Sequence, residues 1–199
     1  RRARGFEGGG ARAGRDRDAQ VDVVAALRGR AQDAAGHHGR VGGAGVVEQT
    51  GAEVTSVEIG ERVAFSGLGI GSEGSYAEYA VIAETQVVHL PEELSFTDAA
   101  AIGMAFPAAY YALVTRGALR EGETVLVQGA AGGVGSASVQ LAKALGARVL
   151  ATASGPDAAD LVLSLGAEAV IDFRTEDVPE RVLELTGGRG VDLIHELVL

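Results

Sequence analysis

The chain has 199 residues, 47% of them hydrophobic, with 17 Lys+Arg against 27 Asp+Glu and a formal charge of -10 at pH 7. That length holds one ordinary domain or two small ones, at roughly 150 residues each, and the apolar fraction is enough for a buried core. The acidic balance disfavours a nucleic-acid surface, which needs clustered cations, and the absence of cysteine excludes disulfides, thiolate zinc sites and thiol catalysis.

The first segment differs from the rest. Residues 1–44 contain 9 Arg, 10 Gly and 10 Ala, and so hold more than half of the chain's 16 arginines. No apolar stretch follows the charged start to make a signal peptide, and no later run reaches the roughly 18 residues that span a bilayer. A cytoplasmic protein without membrane or nucleic-acid partners is therefore expected. The only apolar stretch of the head, Val21 to Leu27, is too short to bury a core. Residues 1–43 are expected to be a disordered tail or the product of a wrong reading frame.

From Ala44 the pattern becomes regular. Gly45–Glu48, Glu61–Phe65, Tyr76–Ile82 and Gln86–Leu90 are β-rich runs separated by Gly or polar turns. Ser95 is a helix-capping residue before the helix formers that run to Ile102, and Pro107 suits the first turn of a second helix ending near Arg116. Gly117 and Gly122 then bracket a turn. Strands are predicted at Thr124–Gln128, Arg148–Ala153, Ala169–Asp172 and Val191–Leu199. Helices at Gly133–Leu145, Asp157–Leu165 and Asp177–Leu185 lie between them, each closed by glycine. Alternation of this kind implies a parallel, doubly wound α/β sheet with right-handed crossovers. The division read from the chain is a head over 1–43, a β region with a linking helix over 44–106, and an α/β domain over 107–199.

The most informative segment is Thr124-Val-Leu-Val-Gln-Gly-Ala-Ala-Gly-Gly-Val-Gly135. Ala130-x-Gly132-x-x-Gly135 follows a strand and opens a helix, the context in which such a loop binds a dinucleotide. Gly132 lets the backbone approach a pyrophosphate, Gly135 lets helix and sheet pack closely, and the first N–H groups of the helix face the phosphates. An acid for the ribose is expected roughly 20 residues further on. The chain has Ala151-Thr-Ala-Ser-Gly155 there. Small neutral residues leave room for a 2′-phosphate, so NADPH is preferred and NADH stays open.

Over residues 44–199 the chain resembles the zinc-free, zeta-crystallin-like quinone oxidoreductases of the medium-chain dehydrogenase/reductase superfamily. The resemblance is carried by Ala44–Glu48, Gly60–Val63, Gly74–Ala80, Leu90–Leu94, Ala99–Gly103, Gly122–Gly135, Ile171–Arg174 and Thr186–Asp192. It implies a partial GroES-like β domain over 44–106 and an incomplete Rossmann sheet over 107–199. The implied activity is NADPH-dependent hydride transfer to a quinone or enone, without a metal, in proteins whose full-length members are homo-oligomers. An enoyl-thioester reductase, or a nucleotide-binding piece without turnover, is the alternative.

Carried over by position, the resemblance puts Ala131, Gly132, Gly133 and Val134 on the pyrophosphate and Ser154 beside the adenosine ribose or its 2′-phosphate, with Phe173 after the third strand at the cofactor and Arg174 as the residue that can compensate for lost contacts to the extra phosphate. Ala158 and Phe173 stand where relatives often carry a Lys and a Tyr or His, which leaves the cofactor's 2′-phosphate selectivity open. Val41-Gly42 stands where zinc-dependent relatives have a His-Glu pair, and His37 and His38 read as a solvated pair. No acid–base catalyst is identified. Tyr76 is a weak substrate-pocket candidate, and Glu196 matches an acidic position common in the family.

Overall fold

In the computed structural model, which describes residues 22–29, 42–66 and 77–197, two sheets are joined by one long helix. The first sheet has five antiparallel strands: β1 (Asp22–Gly29), β2 (Gly42–Thr50), β3 (Arg62–Ser66), β4 (Tyr79–Ala83) and β5 (Val87–His89), in the order β4-β1-β2-β3-β5. One face collects Val23, Ala25, Val47, Val63, Phe65, Ala80 and Ile82 into a core. The other face carries Ala44 and Ala64 against α1 (Phe96–Tyr110). Alternation along β3 makes this possible, since Val63 and Phe65 point to one side and Ala64 to the other.

This arrangement corrects the expectation for part of the head. Asp22–Gly29 is an inner strand, paired with β2 on one side and β4 on the other, and Val23 and Ala25 are fully buried. The stretch is too short to bury a core by itself. Strands brought from residues 42–50 and 79–83 supply the cover that its own neighbours lack. Gly42 and Gly43, also in the expected head, open β2; residues 1–21 and 30–41 lie outside the described residues, as does Tyr76.

The second expected difference lies in α1. Ser95 is its N-cap and accepts from the Asp98 N–H at 3.1 Å, as its residue type predicts. The helix does not break before Pro107, however. It runs through to Tyr110 and continues as a π-helical turn over Tyr111–Arg116. Proline costs the backbone one donor here, and tertiary packing overrides that cost. The N-terminal half, through Ala99 and Ala100, sits on the first sheet, while Leu113 beyond the proline is fully buried in the core of the second. The Arg62 guanidinium stacks on the Phe96 ring at 4.4 Å and also donates to the Leu94 carbonyl, which fixes the start of α1 on β3.

The second sheet is parallel: β6 (Thr124–Val127), β7 (Arg148–Ala153), β8 (Ala169–Asp172) and β9 (Leu193–His195), in the order β8-β7-β6-β9. The helices α2 (Gly133–Ala144), α3 (Pro156–Ser164) and α4 (Val178–Leu185) connect them. Val125, Val127, Val149, Ala151 and Ala153 face one core with Val139 and Val162 of α2 and α3. Leu126, Leu150 and Ile171 face a second core with Val182 of α4. Both faces are thus covered, as the apolar runs require. β9 is shorter than the apolar stretch from Val191 predicts, because its single described partner is the four-residue β6. Val23→Ala is expected to lower the unfolding free energy by about 2 kcal/mol; a urea midpoint unchanged from the parent would show that β1 does not carry the first core.

Candidate nucleotide site

Because β6, β7 and β8 are parallel, their C-terminal ends share one edge, and three loops meet there: 128–132, 154–155 and 173–177. The strand order reverses at β6, between β7 and β9, and crevices at such reversals are where doubly wound sheets bind ligands. The parallel order is itself the arrangement of a Rossmann half.

The loop after β6 is shaped by two glycines. Gly129 has φ +68°, a left-handed conformation that turns the chain out of the strand at no steric cost. Gly135 lies under the loop in the first turn of α2. A Cβ there would run into the Gly129 carbonyl oxygen and come within 2.7 Å of the Ala130 Cα. Helix and strand end are therefore in backbone contact.

Thr152 holds the loop from the side. Its hydroxyl accepts from the Gly129 N–H at 3.1 Å and its carbonyl from the Ala130 N–H at 3.0 Å. On the other flank the Gln128 N–H donates to the His195 carbonyl at 3.0 Å. The sequence reasoning passed over Thr152. Its signal is a hydroxyl in a strand whose other inner residues are apolar, and it is nearly fully buried.

Gly132 is the N-cap of α2 and offers no side-chain acceptor. The first intrahelical bond runs from the Ser136 N–H to the Gly132 carbonyl at 2.8 Å, so the amides of Gly133, Val134 and Gly135 begin the helix uncapped by any side chain. Ala131, Gly132 and Gly133 are exposed and Val134 is half-buried. A concave row of N–H groups at the positive end of a helix is suited to an anion. A Cβ at Gly132 would meet only the Gly129 carbonyl oxygen, at the ordinary distance of 3.4 Å, and its φ is −77°. The fold does not demand glycine at that position.

The remaining expected residues fall at the neighbouring strand ends. Ser154 follows β7 and is half-buried. Phe173, about half exposed, and the exposed Arg174 follow β8. Asp172, which the sequence reasoning did not single out, ends β8 in register with Ala153. Its carboxylate accepts from the Arg174 N–H at 3.0 Å and lies 3.4 Å from the Gly155 N–H. Tyr110 and Tyr111 are exposed, and Ile102, Phe106, Pro107 and Leu141 line an apolar groove with them. His89 lies on the first sheet, with Nε2 2.9 Å from the Ser56 carbonyl.

At the end of β9, His195 is half-buried and its Nδ1 has no hydrogen-bond partner among the described residues. Burial holds its pKa below the ordinary 6.5, and the Glu196 carboxylate opposes that shift. Glu196 lies against the side-chain amide of Gln128.

Comparison with known proteins places the chain. The family "Alcohol dehydrogenase GroES-like domain" matches residues 20–92, which takes in β1, and the family "Zinc-binding dehydrogenase" matches residues 133–199. A quinone oxidoreductase of Pseudomonas aeruginosa is 43% identical over 156 residues, 78% of this chain and 47% of that protein. The Escherichia coli quinone oxidoreductase complexed with NADPH superposes with a TM-score of 0.77 at 27% identity, covering 94% of this chain and 60% of that one. The CurK enoyl reductase superposes with a TM-score of 0.77 at 26% identity, covering 94% of this chain and 61% of that one. The chain spans about half the length of the curated relatives it matches.

The lowered pKa of His195 sets a pH dependence. Between its folded value and 6.5 the unfolded chain binds more protons, so stability is full above pH 6.5 and declines as the pH falls below it. Urea midpoints at pH 7.5 and 5.5 are expected to differ less in His195→Gln than in the parent; equal slopes in the two chains would remove His195 from this role.

Proposed function

The chain belongs to the medium-chain dehydrogenase/reductase superfamily, and from that premise we propose that it serves hydride transfer from a nicotinamide dinucleotide to a quinone or enone. The observation that carries this reading is the uncapped start of α2 behind a glycine that packing does not require. Room at Gly132 has a use if a pyrophosphate comes close to the main chain.

The residues present fit such a cofactor. The Gly133, Val134 and Gly135 amides would hold the diphosphate, with Ala131 and Gly132 presenting bare backbone to it. Ser154, Phe173 and Arg174 would flank the adenosine ribose. When bound, the nucleotide supplies the hydride, and the protein's part is to hold and orient it beside an apolar acceptor. Thr152, through its two bonds to the loop, keeps the amide row in place before binding, which lowers the ordering cost that binding would otherwise carry.

Zinc is left out of this reading on the chemistry of the donors. The chain has no cysteine. Among the described residues the histidines are His89 and His195, one on each sheet, and no group of three or more His, Asp or Glu comes together there. The "zinc-binding" of the family's description therefore finds no ligand set in these residues.

Enoyl-thioester reduction is the second reading, supported by the similarity to the CurK enoyl reductase. Binding without turnover is the third. They separate in one assay, in which oxidation of the reduced nucleotide is followed with 1,4-naphthoquinone, with crotonyl-CoA, or with neither. Nucleotide binding is tested by fluorescence titration of two glycine variants. Gly132→Ala is expected to keep the parent's stability to within about 1 kcal/mol while weakening binding at least about tenfold. Gly135→Ala is expected to lose about 1–3 kcal/mol of stability. Unchanged affinity in a folded Gly132→Ala chain would overturn the site.

A further inference from the structure

β9 ends on an imidazole that no described residue holds. The register sets Leu193 beside Val125 and His195 beside Val127, and Val125, Val127 and Leu193 pack in one core with Val139 of α2 and with Leu113. Register partners in a parallel pair share a face, so the His195 ring stands on the α2 side, at the open end of an apolar line. Its Nδ1 is buried without a partner, Nε2 is the nitrogen left open, and no hydrogen bond from a described residue reaches the ring. A buried, unpaired ring nitrogen costs about 1–3 kcal/mol, which an aliphatic side chain in the same place would avoid. Resting on the nucleotide site proposed above, we infer that His195 binds the nicotinamide half of the dinucleotide through a hydrogen bond at Nε2.

The place follows from the sheet. β6 has β7 on one side and β9 on the other, and a dinucleotide lies across the crevice at such a reversal, one half to each side. With the diphosphate on the Gly133, Val134 and Gly135 amides and the adenosine ribose at the end of β7, the other half extends over the end of β9. His195 stands there, one strand spacing of about 4.8 Å from β6, with its carbonyl accepting from the Gln128 N–H at 3.0 Å just before the glycine loop. Burial keeps the imidazole neutral at pH 7, so its open nitrogen offers a hydrogen bond without a charge. The carboxamide and ribose hydroxyls of a nicotinamide nucleotide can give or accept that bond. A neutral ring also sets no like charge against the positive nicotinamide of the oxidised form.

Calorimetric titration with NADPH and with 2′,5′-ADP, which lacks the nicotinamide half, separates this role from a structural one. His195→Leu is expected to weaken NADPH about three- to tenfold and to leave 2′,5′-ADP within about twofold of the parent. His195→Gln keeps a polar side chain and is expected to recover part of the loss. In the parent's NMR spectrum, the imidazole C–H signal that His195→Gln removes is expected to shift with NADPH and to stay in place with 2′,5′-ADP. Unchanged NADPH affinity in a folded His195→Leu chain, equal weakening of both ligands, or an imidazole signal that moves alike with both would overturn the inference. Failure of both ligands to bind the folded parent would instead overturn the nucleotide site itself.

Discussion

The structure turns on a backbone contact. Gly135 in α2 lies so close to the Gly129 carbonyl and the Ala130 Cα that no side chain fits between them. That approach brings the first turn of the helix up to the end of β6 and sets its free amides at the mouth of the loop. Any larger residue would push α2 away from the sheet, and the row of uncapped amides would move with it. The same contact brings Val139 and Ala142 into the core beside Val125 and Val127, so the geometry of the site and the packing of the domain share one cause.

Around that contact the sheet works as a rack. Parallel pairing in register puts the ends of β6, β7 and β8 at one level, and each end presents different groups. The first has the amide row, the second the hydroxyl of Thr152 and the small residues after it, and the third a fixed carboxylate. Apolar residues on both faces, covered by α2 and α3 on one side and α4 on the other, pack the strands that carry these ends. The five-stranded sheet is joined to this rack by α1 and the π-helical turn that continues it, which are buried in different cores through Ala99 and Ala100 at one end and Leu113 at the other. That double anchorage explains why the helix passes through Pro107 without stopping.

The local features were legible from sequence because their causes are local. Ser95 caps α1, since a short oxygen-bearing side chain before a helix satisfies an orphan N–H whatever surrounds it. Gly146 and Gly166 end their helices with positive φ, for which only the missing Cβ matters. The helix boundary expected at Pro107 and the disordered head expected at 22–29 were misread for one reason. In both, contacts with segments far along the chain outweigh the preference of the residues themselves.

By itself, the order of residues determined the α/β alternation, the parallel sheet, the glycine loop and the caps, because period, turn chemistry and sterics act over a few residues. Tertiary structure alone decided that Val23 and Ala25 lie in a core and that Thr152 buttresses the loop. Each of these depends on a partner more than 20 residues away along the chain, and a pairing partner is a property of the sheet rather than of either strand.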